Sequence, residues 1–333
     1  MKRLAIISSI VTTLIVGVIA LALIFGPVSA SASPATGAAG GASGTSRASA
    51  LHTPHFLGTR PAKIKPARRT NNLTYHGGPI EVTPAVYISW WGPEWSTGFS
   101  TGGYTSGQAQ TYMADFFNNV GGSSWNNVVT QYCQGVANGT VNCGSSGTHI
   151  QNPAGELKGT WNDTTAVPSS PTQTDIANAS IRLMQHFGYN ANATYFVFTP
   201  TGKSMSGFAG VGGNWCAWHS VTNSGSGEVA YAYMPYQPDA GTSCGMNFIN
   251  GNNSYGNGYF DGFSVVGGHE YSEAETDPHT TSGQYAWEDR QGAENGDKCA
   301  WVASSGNISL PNGHVYAVQP TWSNANSGCA MSR

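Results

Sequence analysis

The chain has 333 residues, and charged side chains make up only 9% of them, well below the usual quarter. Its formal net charge of −3 hides a split: all 17 acidic residues lie beyond residue 70 with only six basic ones, so that part carries −11. An acidic domain with no basic face is unsuited to nucleic acid, which this composition excludes as a partner.

Met1-Lys2-Arg3 gives the chain a positive start, an apolar run follows from Leu4 to about Phe25, and Val28-Ser29-Ala30 supplies small residues for a signal peptidase. Residues 1–30 read as a secretory signal peptide, cleaved after Ala30 or Ala32. Roughly 20 apolar residues can also span a bilayer, so an uncleaved membrane anchor is the alternative and the one route to a membrane partner. Residues 31–70 are rich in Ala, Ser, Gly and Pro and then in basic residues: Arg60, Lys63, Lys65, Arg68 and Arg69. They show no hydrophobic periodicity and read as a disordered linker or pro-segment. Residues 71–333 suffice for one large globular domain.

Within that domain, Ile80 to Trp90 reads as a strand interrupted by Pro84, at or near a sheet edge. Thr105 to Val120 has helical character, with Tyr112, Met113, Phe116 and Phe117 on one side. Residues 121–170 are turn-rich, with short strands expected around Asn127 to Tyr132 and Thr148 to Ile150. Thr172 to Phe187 is the clearest helix of the first half: Thr172 and Asp175 fit a capping box, and Gly188 ends it. Ala193 to Thr199 reads as a buried strand and Glu228 to Met234 as an alternating one. A helix between strands predicts mixed α/β layering, an α+β domain with a mixed sheet. Trp90, Trp91 and Trp95 read as core aromatics, and His219, set among aromatics near a cysteine, as a packing residue.

Six cysteines follow residue 70: Cys133, Cys143, Cys216, Cys244, Cys299 and Cys329. In an oxidising compartment an even set pairs. Sequential pairing, 133–143, 216–244 and 299–329, closes the shortest loops and is preferred. No C-x-x-C spacing supports a cysteine zinc site.

The chemistry concentrates in Asp261 to Thr276, read as a helix that stops at Asp277-Pro278 because the residue before proline avoids the α region. Residues four apart share a helical face, so His269 and Glu273 project together. An imidazole nitrogen and a carboxylate oxygen are both zinc ligands. Glu270, one step round the helix, stands beside the metal as the general base that takes a proton from its water, as in H-E-x-x-H proteases. Here Glu273 replaces the second histidine. Catalytic zinc needs a third protein ligand; Asp297, Glu294, Asp277 and His279 are candidates, the Glu294–Asp297 segment being preferred because Cys299 can staple it in place. Gly267 and Gly268 weaken a helix and call for a packing reason, such as close approach of another backbone; they would also let a chain or substrate pass close to the metal. Calcium is the competing ion, suited to the carboxylates from Glu288 to Asp297, but it avoids nitrogen ligands such as His269. His279 and Tyr285 are candidate oxyanion stabilisers.

In its motifs the chain resembles the EXORDIUM-like family, the plant phosphate-induced proteins and their microbial relatives. The resemblance runs over most of residues 73–329 and is carried by Tyr75-His76-Gly77-Gly78-Pro79, Ile88-Ser89-Trp90-Trp91-Gly92, Asp115-Phe116-Phe117, Gly121-Gly122-Ser123-Ser124-Trp125 and Trp215-Cys216-Ala217-Trp218-His219. Gly268-His269-Glu270-x-x-Glu273-x-x-Thr276-Asp277-Pro278, followed by Glu294-x-Gly296-Asp297-x-Cys299, is similar to the family's H-E-x-x-E and E-x-G-D-x-C blocks. The resemblance implies a secreted protein of the extracellular space or cell wall and supplies no defined activity. The long Ala/Ser/Gly-rich and basic N-terminal stretch departs from the plant pattern. Two expectations follow: a secreted zinc-dependent hydrolase of zincin-like fold, a metallopeptidase acting on peptide or cell-wall substrates; or a non-catalytic extracellular, wall-associated protein with a structural metal.

Overall fold

Helices pack on the central sheet, and its inner strands are nearly continuously buried, as strands covered on both faces are. The computed structural model describes residues 51–64 and 71–333. The expected signal or anchor segment, and residues 31–50 and 65–70 of the expected linker, lie outside the described residues. The six strands are β1 (His55–Gly58), β2 (Ala85–Trp91), β3 (Leu157–Asp163), β4 (Ala193–Phe198), β5 (Trp215–Asn223) and β6 (Glu228–Met234). Their spatial order is β1-β5-β6-β4-β2-β3. The β6–β4, β4–β2 and β2–β3 pairs are parallel, whereas β5 is antiparallel to both β1 and β6. The domain is thus mixed α/β with a mixed sheet. Every residue of β4, and all of β5 except Asn223, is buried.

Three long helices pack around this sheet: α1 (Ser106–Val120), α2 (Gln173–Phe187) and α3 (Asp261–Thr276). Two of them start with reciprocal capping boxes. Thr172 Oγ1 accepts from Asp175 N at 3.2 Å while Asp175 Oδ2 accepts from Thr172 N at 2.9 Å; Thr105 and Gln108 do the same for α1. Each cap contributes about 1 kcal/mol by satisfying helix-end amides. α2 rests on β2, β4 and β6, and α3 on β5 and β6. Trp90, Trp91 and Trp95 are core residues.

All three expected disulfides are present: Cys133–Cys143, Cys216–Cys244 and Cys299–Cys329. No helix among the described residues is long and apolar enough to cross a membrane.

Several expectations need correction. The strand expected from Ile80 starts only at Ala85, just after Pro84, which cannot donate to a ladder. Asn127 to Tyr132 is not a strand but part of a 3-10 helix, Asn126–Gln131. β3 was hidden by its polar, glycine-containing sequence; it forms the edge beyond β2, and Gly159 leaves room for the Phe187 ring. The largest correction concerns residues 31–70: within that expected linker, His55–Gly58 is a strand of the main sheet.

Candidate metal centre

α3 is buried along all 16 residues, polar ones included. Its apolar side, with Phe263, Val265 and Val266, belongs to the main core. At Gly267 and Gly268 the helix meets α1. A Cβ on Gly268 would stand 3.2 Å from the Trp125 ring, and one on Gly267 would stand 2.9 Å from Met113 Cε. The glycines therefore serve packing, as one reading of the sequence expected, and admit α1 and Trp125 side chains where the other expected a passing substrate. The helix stops at Asp277, whose amide donates to Glu273 O at 2.7 Å and whose φ of −155° is extended, as a residue before proline prefers.

The E-x-G-D-x-C block is stitched onto this helix. Asn295 exchanges hydrogen bonds with Ser272, donating from Nδ2 to Ser272 O at 2.9 Å and accepting Ser272 Oγ–H at 3.2 Å. Gln319 Nε2 donates to Gly296 O at 2.8 Å, and Asp297 N donates to Glu273 Oε1 at 2.8 Å. Cys299–Cys329 closes the loop behind it. Gly296 passes so close to the helix that a Cβ there would lie 2.8 Å from both His269 Nδ1 and Glu273 Oε1. Only glycine fits without displacing the pair.

Between helix and loop the donor atoms converge. Glu273 Oε2 lies 3.1 Å from His269 Nε2 and 3.6 Å from His219 Nδ1. Asp297 Oδ1 lies 3.9 Å from His269 Nε2. Donor atoms of His269, Glu273 and Asp297 all fall within 4.8 Å of one another, and so do those of His219, His279 and Glu294. His219 links the two groups: its Nδ1 is 3.1 Å from Glu270 Oε2, its Nε2 3.1 Å from His279 Nε2 and 3.5 Å from Glu294 Oε2. His55 enters from β1, with Nδ1 2.6 Å from Glu294 Oε2 and 3.7 Å from Asp297 Oδ2.

Beyond the bonds of His219 to Glu270 and His279, much of this close approach is not hydrogen bonding. Both nitrogens of His269, both carboxylate oxygens of Glu294, Glu270 Oε1 and His279 Nδ1 are buried without a hydrogen-bond partner among the described residues. Each such atom costs roughly 1–3 kcal/mol, and natural folds avoid them. Gathered in one place and facing one another, these lone pairs have the arrangement that a shared cation satisfies. His269 Nε2 lies 3.1 Å from Glu273 Oε2 and 3.9 Å from Asp297 Oδ1, close to the roughly 3.3 Å between neighbouring ligands of a tetrahedral ion with 2.0–2.2 Å bonds, so this set could hold a divalent cation.

The charges respond accordingly. Burial opposes a charged His269, but Glu273, Glu270 and Asp297 outweigh it and push the imidazole up to about 9. Glu294 pushes His55 up to about 10, against its desolvation. Burial opposes the Glu294 carboxylate, yet His55, His219 and His279 hold it well below the usual range. Burial, with Glu273 beside it, lifts Asp297 to about 7. Burial, with His219 and His55 nearby, lowers His279 to about 3 in spite of Glu294.

Of the residues singled out in the sequence, His269, Glu270, Glu273, Glu294 and Asp297 come together. Asp277 is committed elsewhere: Oδ2 accepts from Ala286 N at 2.9 Å, and Oδ1 accepts from His279 N at 3.2 Å while lying 3.6 Å from His279 Nδ1. It orients the loop carrying His279. Tyr285 meets the rings of His279 and His52 edge-on, at 5.7 and 6.2 Å. His219 is a correction, since it is not a mere packing residue but the centre of the cluster. Its signal was the strand: in β5 it lies opposite Ala232 of β6 and His55 of β1, on a segment whose continuous burial was legible in its aromatics. His55 had no signal beyond its residue type.

Comparisons with family models, with curated proteins and with solved structures find no match to this chain.

Proposed function

We propose that this chain is a secreted zinc-dependent hydrolase, a peptidase of zincin-like design, with the resemblance to EXORDIUM-like proteins supporting an extracellular setting. The observation that carries the reading is the convergence of buried His269 and Glu273 with the half-buried Asp297, the His269 nitrogens lacking hydrogen-bond partners. His269, Glu273 and Asp297 would hold the ion, with Glu294 close by. Zinc bound there supplies a water acidified to near-neutral pKa and a Lewis acid for a scissile carbonyl. Glu270 is the general base. Its Oε1 is free of hydrogen bonds while Oε2 is fixed by His219 Nδ1 at 3.1 Å, so the carboxylate is oriented with one oxygen available to accept and pass on a proton. Imidazole donors favour zinc over calcium.

One observation favours the non-catalytic alternative. His55 brings a further nitrogen to Glu294 and Asp297, and a site closed by four protein ligands is structural. The two readings separate on a peptide-library digestion with and without chelator. Under the hydrolase reading chelation stops cleavage, and Glu270→Gln abolishes it while leaving metal content intact. A purified chain that holds zinc and cleaves nothing in either form belongs to the second reading.

A further inference from the structure

The sheet edge beside the cluster is built by a segment that lies far from its partner in the chain. β1 pairs antiparallel with β5, with His55 opposite His219, Phe56 opposite Trp218 and Leu57 opposite Ala217. The pairing continues backwards, as His52 N donates to Val221 O at 3.3 Å and Leu51 bridges Thr222. It continues forwards through Thr59 N to Asn214 O at 3.0 Å. Such main-chain bonds are indifferent to sequence; side chains at alternate positions carry the specificity.

The alternation is plain. His55 turns towards the cluster, 2.6 Å from Glu294. Leu57, two residues on, is buried in the core at 1% exposure. Phe56 between them faces outward, 42% exposed, against the rings of Trp215 and Trp218. His52 stacks on His279 at 5.0 Å. His55 keeps 26% of its side chain exposed while Glu294 keeps none, so His55 stands between the cluster and solvent.

The other five strands all come from residues 85–234. β1 adds four residues at an edge, and exposed residues 61–64 follow it, in a stretch that carries Arg60, Lys63, Lys65, Arg68 and Arg69 in sequence. The exposed Lys63 is a ready site for proteolytic nicking.

We propose that the β5 edge is a binding groove for an extended peptide, that residues 51–58 are its built-in occupant, and that His55 stoppers the cluster until this segment is displaced. The groove takes a peptide antiparallel to β5 with a leucine-like residue two positions after the one lying over the cluster. The chemistry done in the groove rests on the hydrolase reading; its capacity to bind a peptide does not.

The test uses the full chain carrying Leu57→Asp, which removes the buried anchor without touching a cluster residue. Amides of residues 52, 53 and 55–58 are expected to exchange with solvent at least about tenfold faster while β4–β6 keep their protection. A labelled peptide of residues 50–60 is expected to bind this variant at least about tenfold more tightly than wild type, whose tethered segment competes at about millimolar effective concentration. The same peptide with aspartate at the leucine position is expected not to bind. Loss of protection across the whole sheet, or a peptide that binds neither protein, overturns the groove. If Leu57→Asp does not fold, wild type nicked by trypsin after Lys63 replaces it. Exchange of its own segment for the labelled peptide supports the proposal, and retention of the segment with exclusion of the peptide overturns it. Peptide hydrolysis that rises on displacement supports both readings together. Peptide binding with no hydrolysis sinks the hydrolase and leaves the groove.

Discussion

Replacing Gly296 by alanine tests whether the loop of residues 294–297 is seated on α3 as described. The backbone there is helical, at φ −73° and ψ −45°, so alanine brings no conformational strain. Its methyl group would stand 2.8 Å from His269 Nδ1 and Glu273 Oε1 and 3.1 Å from His269 Cε1. Relief requires the loop to retreat by roughly half an ångström, against the Asp297 N–Glu273 Oε1 and Gln319 Nε2–Gly296 O bonds, both 2.8 Å. Overpacking of this kind costs about 1–3 kcal/mol. Displaced support around a metal ligand typically costs about 10–100-fold in affinity. Urea unfolding reads the first effect, and zinc titration against a competing chromophoric chelator reads the second. Gly251→Ala is the control, because a Cβ there meets nothing within 4 Å. A Gly296→Ala protein with wild-type midpoint and zinc affinity would refute the packing of loop on helix.

Removing Cys299–Cys329 by paired substitution should cost about 3–4 kcal/mol by loop closure and also weaken zinc binding, since it frees the loop carrying Glu294 and Asp297, whereas removing Cys133–Cys143 should lower only the unfolding midpoint. Zinc affinity should rise with pH, because the ion displaces a proton from His269, which titrates at about 9, and from Asp297 at about 7. A slope of about one to two decades per pH unit between pH 6 and 7, easing towards one as Asp297 ionises, is expected by titration in buffers of matched ionic strength, and a flat profile would contradict the ligand set. A second buried carboxyl group, Glu156, accepts Tyr271 O–H at 2.8 Å, and burial pushes it up to about 8; Glu275 and Glu81 are likewise raised by burial. The native chain therefore holds protons that the unfolded chain releases, and stability should fall as pH rises from about 4.5 to 8. Glu156→Gln should recover about 2–4 kcal/mol at pH 8 and little at pH 4, read from urea midpoints; equal shifts at both pH values would contradict this.

What was legible in the sequence followed from local rules. The helices at Thr172 and Asp261 had a cap, a stripe or a proline stop. β4 and β6 showed their burial or alternation, and the disulfides followed loop length. The H-E-x-x-E spacing placed His269 and Glu273 on one face because helical periodicity is a local property. β3 was missed since Gly159, Asn162 and Asp163 disfavour strands and only its place at the sheet edge tolerates them. His219 and His55 were missed for a different reason. His55 reaches the site through its pairing with His219 of β5, far along the chain, and His219 meets Glu270 and His279 across 51 and 60 residues; an isolated histidine among aromatics carries no mark of such partners. The linker reading failed where four residues borrow their order from β5, since main-chain pairing needs no hydrophobic period within the segment.

Zinc titration tests the proposed site most directly. Zinc titrated into the chelator-stripped full chain should bind at one tight site per chain, vanish in both His269→Ala and Glu273→Ala, and persist in Glu270→Gln. Absence of binding, or binding that survives the loss of both ligands, would contradict it.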